Sequence, residues 1–70
     1  MAEHIELTIN GTTKNFAKSL TIASLLDELC LNPKQVAVEV NLELVPREFH
    51  GSHQLNAGDS VEVLTLVGGG

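Results

Sequence analysis

Ile5-Glu6-Leu7-Thr8-Ile9-Asn10-Gly11-Thr12-Thr13-Lys14-Asn15-Phe16-Ala17-Lys18-Ser19-Leu20-Thr21-Ile22-Ala23-Ser24-Leu25-Leu26-Asp27-Glu28-Leu29 changes its apolar period part-way along, and that change decides the fold class. Ile5, Leu7 and Ile9 alternate with Glu6 and Thr8, the period of a half-buried strand. Asn10-Gly11 is a strong hairpin signal, because both residue types tolerate positive φ. Thr12 to Ala17 then reads as the returning strand, with Phe16 as its apolar anchor. From Ile22 the spacing becomes i, i+3, i+4, i+7 through Leu25, Leu26 and Leu29, one face of a helix. Ser19 or Thr21 can cap its start through a side-chain oxygen. Asn32-Pro33 is the expected stop, since the residue before a proline is pushed out of the helical region.

The period returns to two downstream. Val36, Val38 and Val40 predict a third strand, Asn41 to Glu43 a turn, and Leu44-Val45 a short fourth strand closed by Pro46. Arg47 to Asn56 reads as irregular, Ala57-Gly58-Asp59 as a second turn, and Val61 to Val67 as the last strand. One helix cannot cover both faces of a sheet. The expected architecture is therefore α+β, with a mixed sheet of four to five strands packed on one helix. Residues 1–67 form the expected domain and residues 68–70 a flexible glycine tail.

Composition narrows the function. A chain of 70 residues can hold one modest core, with no room for a deep substrate pocket beside it, which argues against a self-sufficient enzyme. Apolar residues make up 43%, and the only aromatics are Phe16 and Phe49, so the core must be largely aliphatic. Nine acidic residues against four basic ones give a net charge of -5. Lys14, Lys18, Lys34 and Arg47 are scattered, which excludes the clustered basic surface that nucleic acid requires. An acidic surface suits a basic partner protein; it also serves simply to keep a small domain soluble. Cys30 stands alone, so neither an internal disulfide nor a zinc site is expected; near the end of the helix it reads as a small buried thiol. The first residues, Met1-Ala2-Glu3-His4, do not form an apolar signal core, and no run approaches membrane-spanning length, so no membrane contact and a cytoplasmic location are expected.

The glycine run is the feature that can carry chemistry. Gly68, Gly69 and Gly70 have no Cβ, and a thin thread of them can enter a channel where any side chain would clash. Its plain alternative is an ordinary frayed terminus. A terminal carboxyl has a pKa of about 3.5, so it is an anion and a poor electrophile at neutral pH. It must be activated, most simply as an acyl-adenylate, before a sulfur nucleophile can displace AMP and leave a thiocarboxylate. The chain carries no phosphate-binding loop and no nucleophile–base pair of recognisable form, so neither step is its own. His50 and His53 lie three apart in the irregular segment; without a third ligand they read as solvated loop histidines rather than a metal site. Glu39 and Glu43 read as solvated charges that a basic partner could meet, and Asp59 as a turn residue bonded to backbone. In the last strand, Glu62 favours the phase that points Val61, Val63, Thr65 and Val67 toward the helix. Leu64 and Leu66 then lie on the uncovered face, where exposed apolar surface marks a docking site. The opposite phase would bury both leucines.

Ala37-Val38-Glu39-Val40-Asn41, Leu44-Val45-Pro46-Arg47, Leu55-Asn56-Ala57-Gly58-Asp59 and the closing Gly69-Gly70 resemble the ThiS family, the sulfur carrier proteins of thiamine biosynthesis. Thr21-Ile22-Ala23-Ser24-Leu25-Leu26 also fits, and the resemblance covers essentially the whole chain. Phe49 departs from the tryptophan that many members carry, a swap that keeps an aromatic anchor. The resemblance implies a ubiquitin-like β-grasp fold. It implies that an E1-like adenylyltransferase of the ThiF type adenylates Gly70 with ATP and magnesium. Sulfur, usually delivered through a cysteine desulfurase, then makes the thiocarboxylate, and a thiazole synthase of the ThiG type uses it to build the thiazole ring. It also implies that the face with Leu64 and Leu66 docks on these partners. The small subunit of molybdopterin synthase shares the fold and the chemistry but is usually longer and lacks the Asn…Val-Pro-Arg pattern. A ubiquitin-like modifier joined to lysines through Gly70, and an interaction domain with an inert tail, are the alternatives of other classes.

Overall fold

A computed structural model describes residues 4–66 of the chain. The expectations placed on Val67 and on Gly68, Gly69 and Gly70, and the division between domain and tail, lie outside the described residues. Strands β1 (His4–Ile9) and β2 (Thr12–Ala17) form an antiparallel hairpin with Ile9 opposite Thr12. Asn10 and Gly11 both take positive φ, 48° and 85°, the combination that lets a two-residue turn follow the twist of its strands. Ile5, Leu7, Ile9 and Phe16 all point into the core, as the alternation predicts.

Helix α1 (Ile22–Glu28) follows. Thr21 is its N-cap, its Oγ1 accepting from the Ser24 N–H at 3.1 Å. Ile22, Leu25 and Leu26 are buried. The helix stops before the expected Asn32-Pro33. The Cys30 N–H donates to the Asp27 carbonyl at 3.0 Å and the Leu31 N–H to the Leu26 carbonyl at 2.9 Å, which together make a Schellman ending. That ending places Cys30 in the left-handed region, φ 59°, the position where glycine is usual. Cys30 is exposed there, which corrects its expected burial: the apolar face passes to Leu31, which turns back onto the core. Left-handed backbone costs an L-residue about 1–2 kcal/mol, while glycine adds unfolded-chain entropy. Cys30→Gly should therefore stabilise the domain by about 0.5–1 kcal/mol, read as a higher urea midpoint with an unchanged slope. An unchanged or lower midpoint would contradict the left-handed assignment.

Beyond a short 3-10 turn (Pro33–Gln35) come β3 (Val36–Val40), β4 (Glu43–Val45), a second 3-10 turn (Arg47–Phe49) and β5 (Ser60–Thr65). Asn41 and Leu42, both with positive φ, form the two-residue turn between β3 and β4, so β4 starts one residue earlier than expected. The five strands lie in the order β2-β1-β5-β3-β4, with β1 parallel to β5 and the other pairs antiparallel. The sheet is mixed, and α1 packs across one of its faces. Leu7, Val38 and Val61 from the sheet meet Ile22, Leu25 and Leu26 from the helix, all fully buried. Fully burying such a side chain contributes about 1.5–3 kcal/mol. The core is aliphatic apart from Phe16. Phe49 is half exposed and anchors nothing in it.

The irregular segment is tied to the start of α1. The first N–H groups of a helix have no partner within it. Here the Ile22 N–H donates to the His53 carbonyl at 3.1 Å, and that of Ala23 to the His50 carbonyl at 3.0 Å. The His50 ring is buried, only 3% exposed, which corrects the expectation of a solvated loop histidine. Its Nε2 lies 2.9 Å from the Val45 carbonyl, an acceptor, so Nε2 carries the hydrogen and donates it. Nδ1 is buried without a partner among the described residues. The segment is thus a packed strap between β4 and the helix start.

Candidate functional site

Strand β5 leads toward the glycine run, and its position is fixed from both sides. It lies between β1 and β3. The Thr8 N–H donates to the Asp59 carbonyl at 3.0 Å and the Asn10 N–H to that of Val61 at 2.9 Å. Where β1 turns away, the Asn10 side chain takes over: its Oδ1 accepts from the Val63 N–H at 2.7 Å and its Nδ2 donates to the Val63 carbonyl at 3.2 Å. One amide therefore stands in for the next strand residue, with donor and acceptor both used. On the other side, the Leu66 N–H donates to the Gln35 carbonyl at 2.8 Å.

The base of β5 is held by a second network. Asn41 Oδ1 accepts from the Ser60 N–H at 3.0 Å, and Asn41 Nδ2 donates to Asp59 Oδ1 at 3.0 Å. Asp59 Oδ2 accepts from the Asn56 N–H at 2.8 Å, the backbone bonding expected of a turn aspartate. The contributions of Asn10 and Asn41 were not visible in the sequence beyond their turn propensity.

The phase of β5 agrees with the reading that Glu62 favours. Val61 is fully buried and Val63 packs against the core, while Leu64 and Leu66 are 46% and 57% exposed on the face away from α1. Register adds residues that were not anticipated. Ala37 lies opposite Leu64, Glu39 opposite both Glu62 and Leu44, and Leu44 is 63% exposed. The uncovered face thus carries an apolar group, Leu44, Leu64 and Leu66, around a central pair of glutamates. Its signal was the alternation of β4: Val45 is buried, so Leu44 must point outward. Glu43 sits opposite Val40 on the other side of the sheet and does not join it.

Among the described residues no group of three or more His, Cys, Asp or Glu side chains could hold a metal, and His50 spends its Nε2 on the Val45 carbonyl. No pocket is found among the described residues. No helix among the described residues is long and apolar enough to cross a membrane. What the arrangement offers is a partly apolar sheet face that includes the exposed side of β5.

The model of the ThiS family matches residues 5–70. The chain belongs to the ThiS family. The crystal structure of a thiamine biosynthesis protein (ThiS) from Geobacter metallireducens superposes with a TM-score of 0.82 at 36% identity, covering 94% of this chain and 100% of that one. The fold is accordingly the ubiquitin-like β-grasp. A protein named thiazole synthase from Paramagnetospirillum magneticum is 42% identical over 66 residues, which are 94% of this chain and 20% of that protein. The chain thus spans about a fifth of that relative's length. An uncharacterized protein, ycf40, of Pyropia yezoensis is 42% identical over 67 residues and is covered over 94% of its own length.

Proposed function

We propose that this ThiS-family protein is a sulfur carrier of thiamine biosynthesis whose Gly70 carboxylate is adenylated, converted to a thiocarboxylate and drawn on by a thiazole synthase. The observation that carries this reading is that the family match runs through residue 70 and so includes the glycine run. Likeness to the Geobacter ThiS over the described fold supports it, and so does the thiazole synthase from Paramagnetospirillum, in which a segment like this chain is part of a longer protein of that name. Two activities joined in one relative are expected to meet as separate proteins elsewhere.

A Gly70 carboxylate oxygen attacks the α-phosphorus of ATP and pyrophosphate leaves, with magnesium bound to the nucleotide on an adenylyltransferase of the ThiF type. Sulfur taken from cysteine through a desulfurase is carried as a persulfide; a thiol reductant, itself oxidised to a disulfide, supplies the two electrons that release it as hydrosulfide, which adds to the acyl carbon and gives its proton to solvent. The bond to AMP then breaks, leaving the thiocarboxylate. The chain's own part is to present an unhindered end: a carbonyl flanked only by glycine meets no Cβ on its approach. The docking face gives the partner its grip, and binding energy realised away from the reacting carbon orients the end for reaction.

Incubation with ATP, magnesium, the ThiF-type protein and a sulfur donor should raise the intact mass by one oxygen-for-sulfur exchange. Higher-mass conjugates in place of that shift would assign a ubiquitin-like modifier, and no change at all an inert domain. A deletion strain should require thiazole for growth; a strain indifferent to thiazole would point to molybdopterin synthesis instead.

A further inference from the structure

The uncovered sheet face contains an electrostatic feature that its apolar residues do not explain. Glu39 and Glu62 are direct cross-strand partners, half-buried, at its centre. Side chains so placed have Cβ atoms about 4.5–5.5 Å apart, and like charges there destabilise a sheet. Among the described residues no lysine or arginine side chain relieves them. Lys18, Lys34 and Arg47 lie outside the strands, and Lys14 pairs with Leu7, on the row that faces the helix side. On this face β1 and β2 present His4, Glu6, Thr8, Thr13, Asn15 and Ala17, with His4 at the end of β1 remote from the Thr8–Ser60 pairing and so from Glu62. The two carboxylates are bordered by Leu44 on one strand and Leu64 and Leu66 on the other.

We infer that this face docks a partner protein that presents an arginine set among apolar side chains, with the guanidinium seated between Glu39 and Glu62. This rests on the carrier reading, and the partner taken is the thiazole synthase. Charge complementarity selects the occupant. Two adjacent carboxylates offer a planar, multiply donating cation more acceptors than one carboxylate can, and guanidinium is less strongly hydrated than ammonium, so it enters a half-apolar site more readily. A second copy of this chain would bring two more glutamates to the same place and is disfavoured. The leucines supply contact area and the glutamates select the partner, because a surface lacking the cation would bury two unneutralised charges.

The test compares the parent protein with Glu39→Gln, Glu62→Gln, the double glutamine variant and Leu64→Ala, titrated against the purified ThiG-type thiazole synthase at low and high salt. Glutamine keeps the shape, so the double variant should melt at or above the parent temperature. It should bind the synthase about tenfold or more weakly at low salt, with most of its salt dependence gone. Leu64→Ala should weaken binding while keeping the salt dependence. A double variant that binds as the parent does, with the same salt slope, overturns the inference, as does a parent that sediments as a dimer through this face. A parent that binds the synthase but is never loaded with sulfur overturns the carrier reading alone, and the same affinities then decide this one. A parent that binds no synthase overturns the inference, while sulfur loading still decides the carrier reading.

Discussion

Deleting Gly70 will abolish sulfur loading and leave the thermal transition where it was. Every core side chain among the described residues lies between Ile5 and Val61, and a glycine has no side chain to add to them. The shortened protein retains β5, its bonds to Asn10 and Gln35, and the whole uncovered sheet face. It should still bind its partners. The carboxylate is then offered one residue short of where an in-line attack on ATP requires it, and displacement of about 1 Å alone can cost 100-fold in rate. Mass spectrometry after incubation with the activating protein reads the loss directly, and calorimetry reads the unchanged fold. A truncated protein that still accepts sulfur would falsify the assignment of Gly70. A truncated protein that unfolds would show instead that the last residues belong to the core.

Leu26→Ala will have the largest effect on stability. Leu26 is fully buried against the sheet, and its carbonyl accepts the Leu31 N–H that closes the helix. Removing a buried leucine side chain costs about 2–5 kcal/mol, the range reflecting how far neighbours collapse into the gap. A core in a chain of this size supplies rarely more than about 3–5 kcal/mol. The variant should lose roughly 10 °C or more of melting temperature, or show no cooperative transition at all. Leu66→Ala, on the exposed face, is the control and should melt close to the parent. Equal melting of Leu26→Ala and the parent would mean that the helix does not pack as described.

Much of this fold can be read from residue spacing, and the failures have identifiable causes. Ile5, Leu7 and Ile9 alternate cleanly because β1 has one covered face, and Asn10-Gly11 names its own turn. The helix start was legible in Thr21 and in the period that follows. The end was not, because a left-handed cysteine gives no signal of its own, and the stop is set by Leu31 returning to the core. His50 was misread because its burial depends on the strap that carries it, and a segment without a period says nothing about which side faces in. The alternation of the last strand allowed two phases, and the burial of Val61 selects the one Glu62 favours, with Leu64 and Leu66 exposed. Leu44 and the Glu39–Glu62 pair required the register between strands far apart in sequence, which no local pattern encodes.

The parallel alignment of β1 with β5 has a mechanical consequence. A pull on the chain beyond Leu66 runs along β5, while β1 and β3 hold it from either side. Hydrogen bonds that run across such a load, slanted on the β1 side and perpendicular on the β3 side, resist together; they do not peel open one after another. A partner that took hold of the chain beyond Leu66 would therefore load the sheet as a whole and would not unravel the body strand by strand.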